Sequence, residues 1–208
     1  MCSELFAMMR RFRTGLAASI AFAAMATPMA AHAMDWYSGL SVGEARHETT
    51  GGDIVGPGYT GTVDGNDGGW KVFLGMELWE KYVGAEFGYF NLGKASTKGT
   101  ASGVATTATS KAETFTAALA GLIPIGTHFG TVIKLGLTGP KAEVNITKAG
   151  VTTTTNTTDL KLFGGIGVQV DFSKSVSARL EAERFNMGSI GSPYVNLLSA
   201  GLIYRFGK

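Results

Sequence analysis

The residues with chemistry to offer are charged side chains spaced two apart. Arg179, Glu181 and Glu183 alternate with Leu180 and Ala182, and Lys71 and Glu77 sit in a run with Val72, Leu74 and Met76. Glu86, Lys134, Lys161, Gln169, Asp171 and Arg205 lie in similar alternating runs. Residues two apart on a strand share a face. One face should therefore carry the bases Lys71, Lys134, Lys161, Arg179 and Arg205 with the acids Glu77, Glu86, Asp171, Glu181 and Glu183. Balanced signs imply pairing, because an enclosed charge without its partner costs on the order of 3–5 kcal/mol. Such a network can act as a salt-bridge gate for a narrow channel or as a filler that satisfies polar groups. The filler is favoured.

Catalysis needs a base, or a nucleophile with a base beside it. The histidines are His32, His47 and His128. His32 belongs to a leader described below, and His47 and His128 fall at opposite ends of the strand pattern. No serine near His47 stands in a recognisable motif, so no catalytic residue is expected and the chain is read as a non-enzyme. Asp64-Gly65-Asn66-Asp67-Gly68 misses the calcium-loop spacing by one residue and lacks the closing glutamate. Neither a metal nor a cofactor is expected. Cys2, the only cysteine, precedes the apolar run of the leader, so thiol chemistry is excluded from the rest.

Residues 1–33 read as a signal peptide. Arg10, Arg11 and Arg13 form a basic segment, Leu16–Met25 an apolar one, and Ala31-His32-Ala33 a small-residue cleavage site carried by Ala31 and Ala33. The true start is open between Met1 and Met8 or Met9. Removing residues 1–33 takes three of the 18 basic and one of the 16 acidic residues, leaving 15 of each. The basic patch that nucleic-acid binding requires then has no support.

The remainder, 34–208, reads as one all-β domain. Of the whole chain, 45% is hydrophobic and 16% charged, the latter below the roughly 25% of ordinary soluble domains. No run after the leader approaches the ~20 apolar residues of a membrane helix. Period-2 alternation predicts strands at about 36–45, 70–78, 82–92, 112–124, 129–138, 159–171, 176–185 and 194–206. Each is near the 9–11 residues with which a tilted strand crosses a bilayer.

Long connections (46–69, 93–111, 139–158 and a medium one at 186–193) alternate with short turns at 79–81, 125–128 and 172–174, as in outer-membrane barrels. One face of the strands is apolar; the other combines the charges with Gly39, Gly43, Gly75, Gly84, Gly88, Gly136, Gly165, Gly167 and Gly201. Glycine leaves room where strands converge, so the polar face should be concave and the apolar one should meet lipid. An open sheet edge in lipid leaves unpaired N–H and C=O groups at several kcal/mol each, so the eight strands must close. The interior of such a barrel has room only for its own side chains. Two aromatic girdles are expected: Trp36, Trp79, Tyr82, Phe172, Tyr204 and Phe206 near the turns, and Trp70, Tyr89, Phe185 and Tyr194 near the long loops.

Trp36-Tyr37-Ser38-Gly39, Tyr82-Val83-Gly84-Ala85-Glu86-Phe87-Gly88-Tyr89, Arg179-Leu180-Glu181 and the ending Leu198 to Gly207 resemble the transmembrane domain of the outer-membrane protein A family. The resemblance implies an eight-stranded antiparallel transmembrane β-barrel in the outer membrane of a Gram-negative bacterium. It also implies a plug near mid-height that includes Glu86, Lys134, Arg179 and Glu181. Ser199, Gly201, Tyr204 and Phe206 look like the signal read by the barrel-assembly machinery. The family's periplasmic peptidoglycan-binding domain has no counterpart before Lys208, and Ala120 stands where the family has an interior lysine. Outer-membrane lipid and lipopolysaccharide, the assembly machinery and a surface or host ligand on the long loops are the expected partners; no nucleic acid is expected. The expected role is structural or surface-interacting, with a narrow ion or solute channel and a loop adhesin as alternatives, and a lipid-modifying enzyme last.

Overall fold

The computed structural model describes residues 35–79, 82–188 and 192–206, with no side-chain account for 156–158. These residues belong to one unit of the chain, Met34–Lys208. The expected leader over 1–33, with Ala31, Ala33 and the choice of start, lies outside the described residues.

The described residues form ten strands and one short helix: β1 (Trp36–Glu48), α1 (Gly51–Val55), β2 (Tyr59–Asp64), β3 (Asn66–Trp79), β4 (Val83–Ala101), β5 (Val104–Pro124), β6 (Phe129–Lys148), β7 (Val151–Thr158), β8 (Lys161–Asp171), β9 (Val176–Asn186) and β10 (Tyr194–Arg205). All pairings are antiparallel. Eight strands close a ring in the order β1, β3, β4, β5, β6, β8, β9, β10 and back to β1, while β2 pairs only with β4 and β7 only with β6. Closure leaves no strand edge facing hydrocarbon, the condition under which a sheet can cross a bilayer.

Burial follows the period of two. Leu40, Val42, Leu119, Leu135, Leu162, Ile166, Leu198 and Leu202 point outward and are exposed, while Ser41, Lys71, Glu86, Lys134, Gln169, Arg179, Glu181, Glu183 and Ser199 are buried. A soluble barrel would reverse these faces; lipid as the outer solvent explains them. Glycine makes the packed interior feasible. A Cβ on Gly39 would lie 2.2 Å from the Phe73 ring, and one on Gly75 would lie 2.2 Å from the Tyr37 ring.

Three expectations need correction. The segments 46–69, 93–111 and 139–158 are largely β-structure rather than open loops. Strand β4 runs to Ala101 instead of 92, β5 starts at Val104 instead of 112, and β6 runs to Lys148 instead of 138. Their hairpins turn at Ser102-Gly103 and Ala149-Gly150, where paired positive φ values (52° and 79°, 51° and 80°) match the twist that two-residue hairpins need. Threonine and valine favour strands, and burial continues through Ala95, Thr97, Thr106, Ala108, Ser110, Ala142 and Val144. Beyond the membrane the wall thus continues as a sheet, β2-β4-β5-β6-β7, with Ile54 of α1 packed on Ala95, Ala108 and Val144.

The second correction concerns Phe185. It shares parity with Glu181 and Glu183, so it lies inside the barrel, fully buried, and stacks on Phe163 at 5.1 Å; it is no part of a girdle. The third is Lys161. Its ammonium is part-exposed and 3.8 Å from Asp159, near the long-loop end of β8 and away from the central charges.

Candidate functional site

The interior charges converge from four strands, and Gln169 joins them from a fifth. Lys71 of β3 places Nζ 2.5 Å from Glu181 Oε2 and 2.5 Å from Glu183 Oε2, both on β9. Lys134 of β6 bridges Glu86 Oε2 of β4 and Glu181 Oε1, each at 2.6 Å. Arg179 donates to Glu86 Oε1 at 2.7 Å, and its Nε and second terminal nitrogen donate to Gln169 Oε1 of β8 at 3.1 and 2.9 Å. Three cations face three carboxylates, and all six side chains are almost completely buried. Burial away from bulk solvent makes these contacts strong and mutually dependent, so loss of one partner strands the others.

The Tyr37 hydroxyl donates to Glu86 Oε1 at 2.9 Å, a partner that sequence reasoning missed although its parity with Gly39 and Ser41 places it inward. The Phe73 ring sits among the cations, 4.9 Å from Lys134 Nζ, 5.5 Å from the Arg179 guanidinium and 5.7 Å from Lys71 Nζ. Glu183 Oε1 and Ser199 Oγ are buried without a hydrogen bond among the described residues.

Nearer the short turns, Arg205 forms a second, looser group. It donates to Ser177 Oγ at 2.6 Å and lies 3.4 Å from Glu77 and 3.5 Å from Asp171. Gln169 links the two groups by donating to Asp171 Oδ1 at 2.9 Å. A small vestibule here is lined in part by Tyr37, Gly84, Ala120, Gln169, Arg179 and Arg205. The small side chain of Ala120 helps to leave it open.

On the long-loop side the charges are covered by an apolar layer. Phe90, Phe163 and Phe185 pack with centroids 5.1–6.3 Å apart, joined by Leu92, Leu197, Val195, Ala45 and Met187 in one buried cluster. Parity with Lys161 and Gly165 puts Phe163 on the inner face, but no local pattern announces this layer, because it forms from β1, β4, β8, β9 and β10 only once the ring closes.

His47 lies above that layer. Its Nε2 is 2.9 Å from the Leu92 carbonyl and its Nδ1 is 3.1 Å from Ser192 Oγ. The carbonyl fixes Nε2 as the protonated nitrogen, so Nδ1 accepts from Ser192. Burial holds the imidazole below its ordinary titration range. A serine–histidine pair is a motif of nucleophilic catalysis, but Ser192 is 2% exposed and His47 5%, which shields the hydroxyl from a substrate. Ser192 lies 145 positions from His47, and nothing in the sequence signals their meeting. His128 hydrogen-bonds Thr127 in a short turn, at the other end of the barrel. Asp67 accepts from the backbone N–H groups of Gly68 and Lys94, as a turn residue does. Among the described residues no group of three or more potential metal ligands occurs.

The residues read as an assembly signal divide by face. Ser199 is buried, and a Cβ on Gly201 would meet Ser41 Oγ at 2.1 Å. Tyr204 and Phe206 point outward at the short-turn end, edge to face at 5.2 Å.

A family model described as the outer membrane protein beta-barrel domain matches residues 14–206. No curated protein gives a significant sequence match. Among solved structures, the outer membrane protein OprG of Pseudomonas aeruginosa is similar at 13% identity and a TM-score of 0.59, over 85% of this chain and 97% of that one. Neisserial surface protein A gives 14% and 0.52 over 82% and 97%. The attachment invasion locus protein Ail of Yersinia pestis gives 16% and 0.51 over 82% and 98%. At these identities the likeness is one of fold.

Proposed function

The chain belongs to the outer membrane protein β-barrel domain family and is therefore an outer-membrane protein of a Gram-negative bacterium; from that premise we propose that it is a plugged structural barrel that holds a folded sheet at the cell surface. The observation that carries this reading is the filling of the lumen in two successive layers. A neutral cluster of six paired charges is followed by the packed rings of Phe90, Phe163 and Phe185. An ion that passed the first layer would meet a dry apolar one with no group to replace its hydration, and desolvating an ion without compensation is prohibitive. This argues for the filler and against the gate.

The network residues Glu86, Lys134, Gln169, Arg179, Glu181, Glu183 and Arg205 then hold the strands in register. Residues 1–33 serve as the secretion signal, with Met34 first in the mature protein. Ser199, Gly201, Tyr204 and Phe206 serve as the assembly signal. The sheet β2-β4-β5-β6-β7 offers a surface for a ligand outside the cell, and the buried Ser192 hydroxyl supports a non-enzymatic role.

Planar-bilayer recording of the refolded barrel tests the proposal. No discrete conductance above the lipid background is expected, and regular, salt-dependent open steps would return the narrow-channel reading. A cell-binding assay with and without the β4–β5 hairpin tip tests the surface role: loss of binding on trimming supports it, and equal binding refutes it for that tip.

A further inference from the structure

The outer rim of the lipid-facing wall differs between its two flanks. On β3, β4 and β5 the rings of Trp70, Tyr89 and Phe115 form a continuous band, with centroids 5.5 and 5.0 Å apart. Rings of this kind settle where hydrocarbon meets headgroups. Just beyond Asn91 the register of β4 shifts, and Lys94 emerges from this bulge exposed to solvent. Bulges commonly re-aim a side chain in this way.

The cross-strand partner of Lys94 is Lys111, also exposed. Like charges directly opposite one another destabilise a sheet, and an anion between them removes that cost. Lys141 stands on the next strand with its ammonium 5.5 Å over the Phe115 ring. Glu113 and Glu143 oppose Lys141 and Lys111 in register, and Lys111 is 2.9 Å from Glu113. The cross-strand position gives Lys94 no carboxylate, and the nearby Asp67 carboxylate is turned to its backbone N–H at 2.9 Å. On the other flank, Arg184 is already engaged by both oxygens of Glu48, at 2.8 and 2.6 Å, and lies 4.4 Å from the Tyr194 ring.

The height suits a lipid headgroup. Lys111 is four residues beyond Phe115, roughly 13 Å along the strand and less along the membrane normal because such strands tilt. The headgroup layer extends about 5–8 Å beyond the hydrocarbon on each side, within reach of flexible lysine side chains. We propose that Lys94, Lys111 and Lys141 bind the phosphorylated sugar headgroup of an outer-leaflet lipid, whose acyl chains pack below on Trp70, Tyr89 and Phe115. The site rests on the family's placement of the long-loop end outside the cell.

The test is a native mass-spectrometric titration of the refolded barrel in detergent with bisphosphorylated lipid A, with its dephosphorylated form and with inorganic phosphate. The bisphosphorylated lipid should bind more tightly than the dephosphorylated one, and millimolar inorganic phosphate should not displace it. Each lysine replaced by glutamine should weaken binding about fivefold, whereas Arg46→Gln should not. Lys94→Gln is the decisive single variant, because relieving the like-charge pair favours folding while removing a phosphate contact. Unchanged binding in a folded Lys94→Gln/Lys111→Gln/Lys141→Gln variant, or equal affinity for the dephosphorylated lipid, would overturn the site. Displacement by inorganic phosphate would show a free-anion site instead. Each of these results leaves the plugged barrel standing, since that reading is judged by conductance and not by lipid retention.

Discussion

Arg179 and Glu86 lie 93 positions apart in the chain, yet a guanidinium nitrogen of one is 2.7 Å from a carboxylate oxygen of the other, with both side chains buried. They come from strands on opposite sides of the ring, β9 and β4. Their meeting is a bolt across the lumen rather than a contact between neighbours. Lys71 reaches β9 from β3, three strands away around the ring, and Lys134 ties β6 to both β4 and β9, each two strands away, so the charges resist ovalisation of the barrel more than they line a path through it.

The dependence among these charges can be measured at Lys71. Lys71→Met should lower stability by about 3–5 kcal/mol, because it leaves Glu181 and Glu183 facing each other with one cation fewer. Adding Glu183→Gln should restore a substantial part of the loss. Urea unfolding in lipid of the two single variants and the double variant checks this, and additive losses would show that the contacts do not cooperate.

Ser199 makes the opposite case. Its buried hydroxyl has no hydrogen bond among the described residues, so Ser199→Ala should leave equilibrium stability unchanged or slightly raised. If the serine also belongs to the assembly signal, the same variant will insert more slowly in cells while refolding normally in vitro. A marked loss of stability in vitro would mean that the hydroxyl has a structural partner.

How much of this was legible depended on which physical signal each residue carries. Parity alone assigned Arg179, Glu181 and Glu183 to one face, because a strand has only two. Parity also places Phe185 on that inner face, against the girdle position that an aromatic near a strand end suggests. Thr97, Thr106 and Thr109 fall in a Thr/Ser/Gly/Ala-rich stretch that reads as loop; the β-branched backbone preference of threonine and the alternating alanines favour strand. The His47–Ser192 contact and the apolar layer arise from ring closure between distant segments, which no local pattern encodes.

The His47 contact gives a pH dependence of known sign. Burial lowers its folded pKa below the ordinary value of about 6.5. The stability it contributes is therefore present above about pH 6.5 and is lost as pH falls through the lower folded value. The protection factors of the Met187 and Ser192 amides, which divide out the intrinsic slowing of amide exchange in acid, should fall on acidification through that window, and His47→Gln should remove the dependence. A pH-independent protection factor in the wild type would contradict the buried, neutral imidazole.

The surface sheet should be separable from the barrel. Replacing Lys98–Thr107 by an Asn-Gly turn shortens the β4–β5 hairpin above the membrane, and loop closure changes by less than about 1 kcal/mol for such a deletion. Heat-modifiable migration on gels should persist. Failure to insert would show that the extension is needed to build the barrel.

The central claim, polar inside and lipid outside, is tested by neighbours on one strand. Arg179 is buried, while Leu180 is 48% exposed toward the outer face. Leu180→Arg puts a charge in hydrocarbon at about 2–4 kcal/mol near the midplane, and insertion should suffer. Arg179→Leu should insert, but with a lowered urea midpoint, because Glu86 loses one of its cations. The measurement is insertion yield and urea midpoint of both variants in lipid vesicles. Impaired insertion of Leu180→Arg beside a folded but weakened Arg179→Leu is the predicted result; a silent Leu180→Arg together with an Arg179→Leu that cannot assemble would contradict the account.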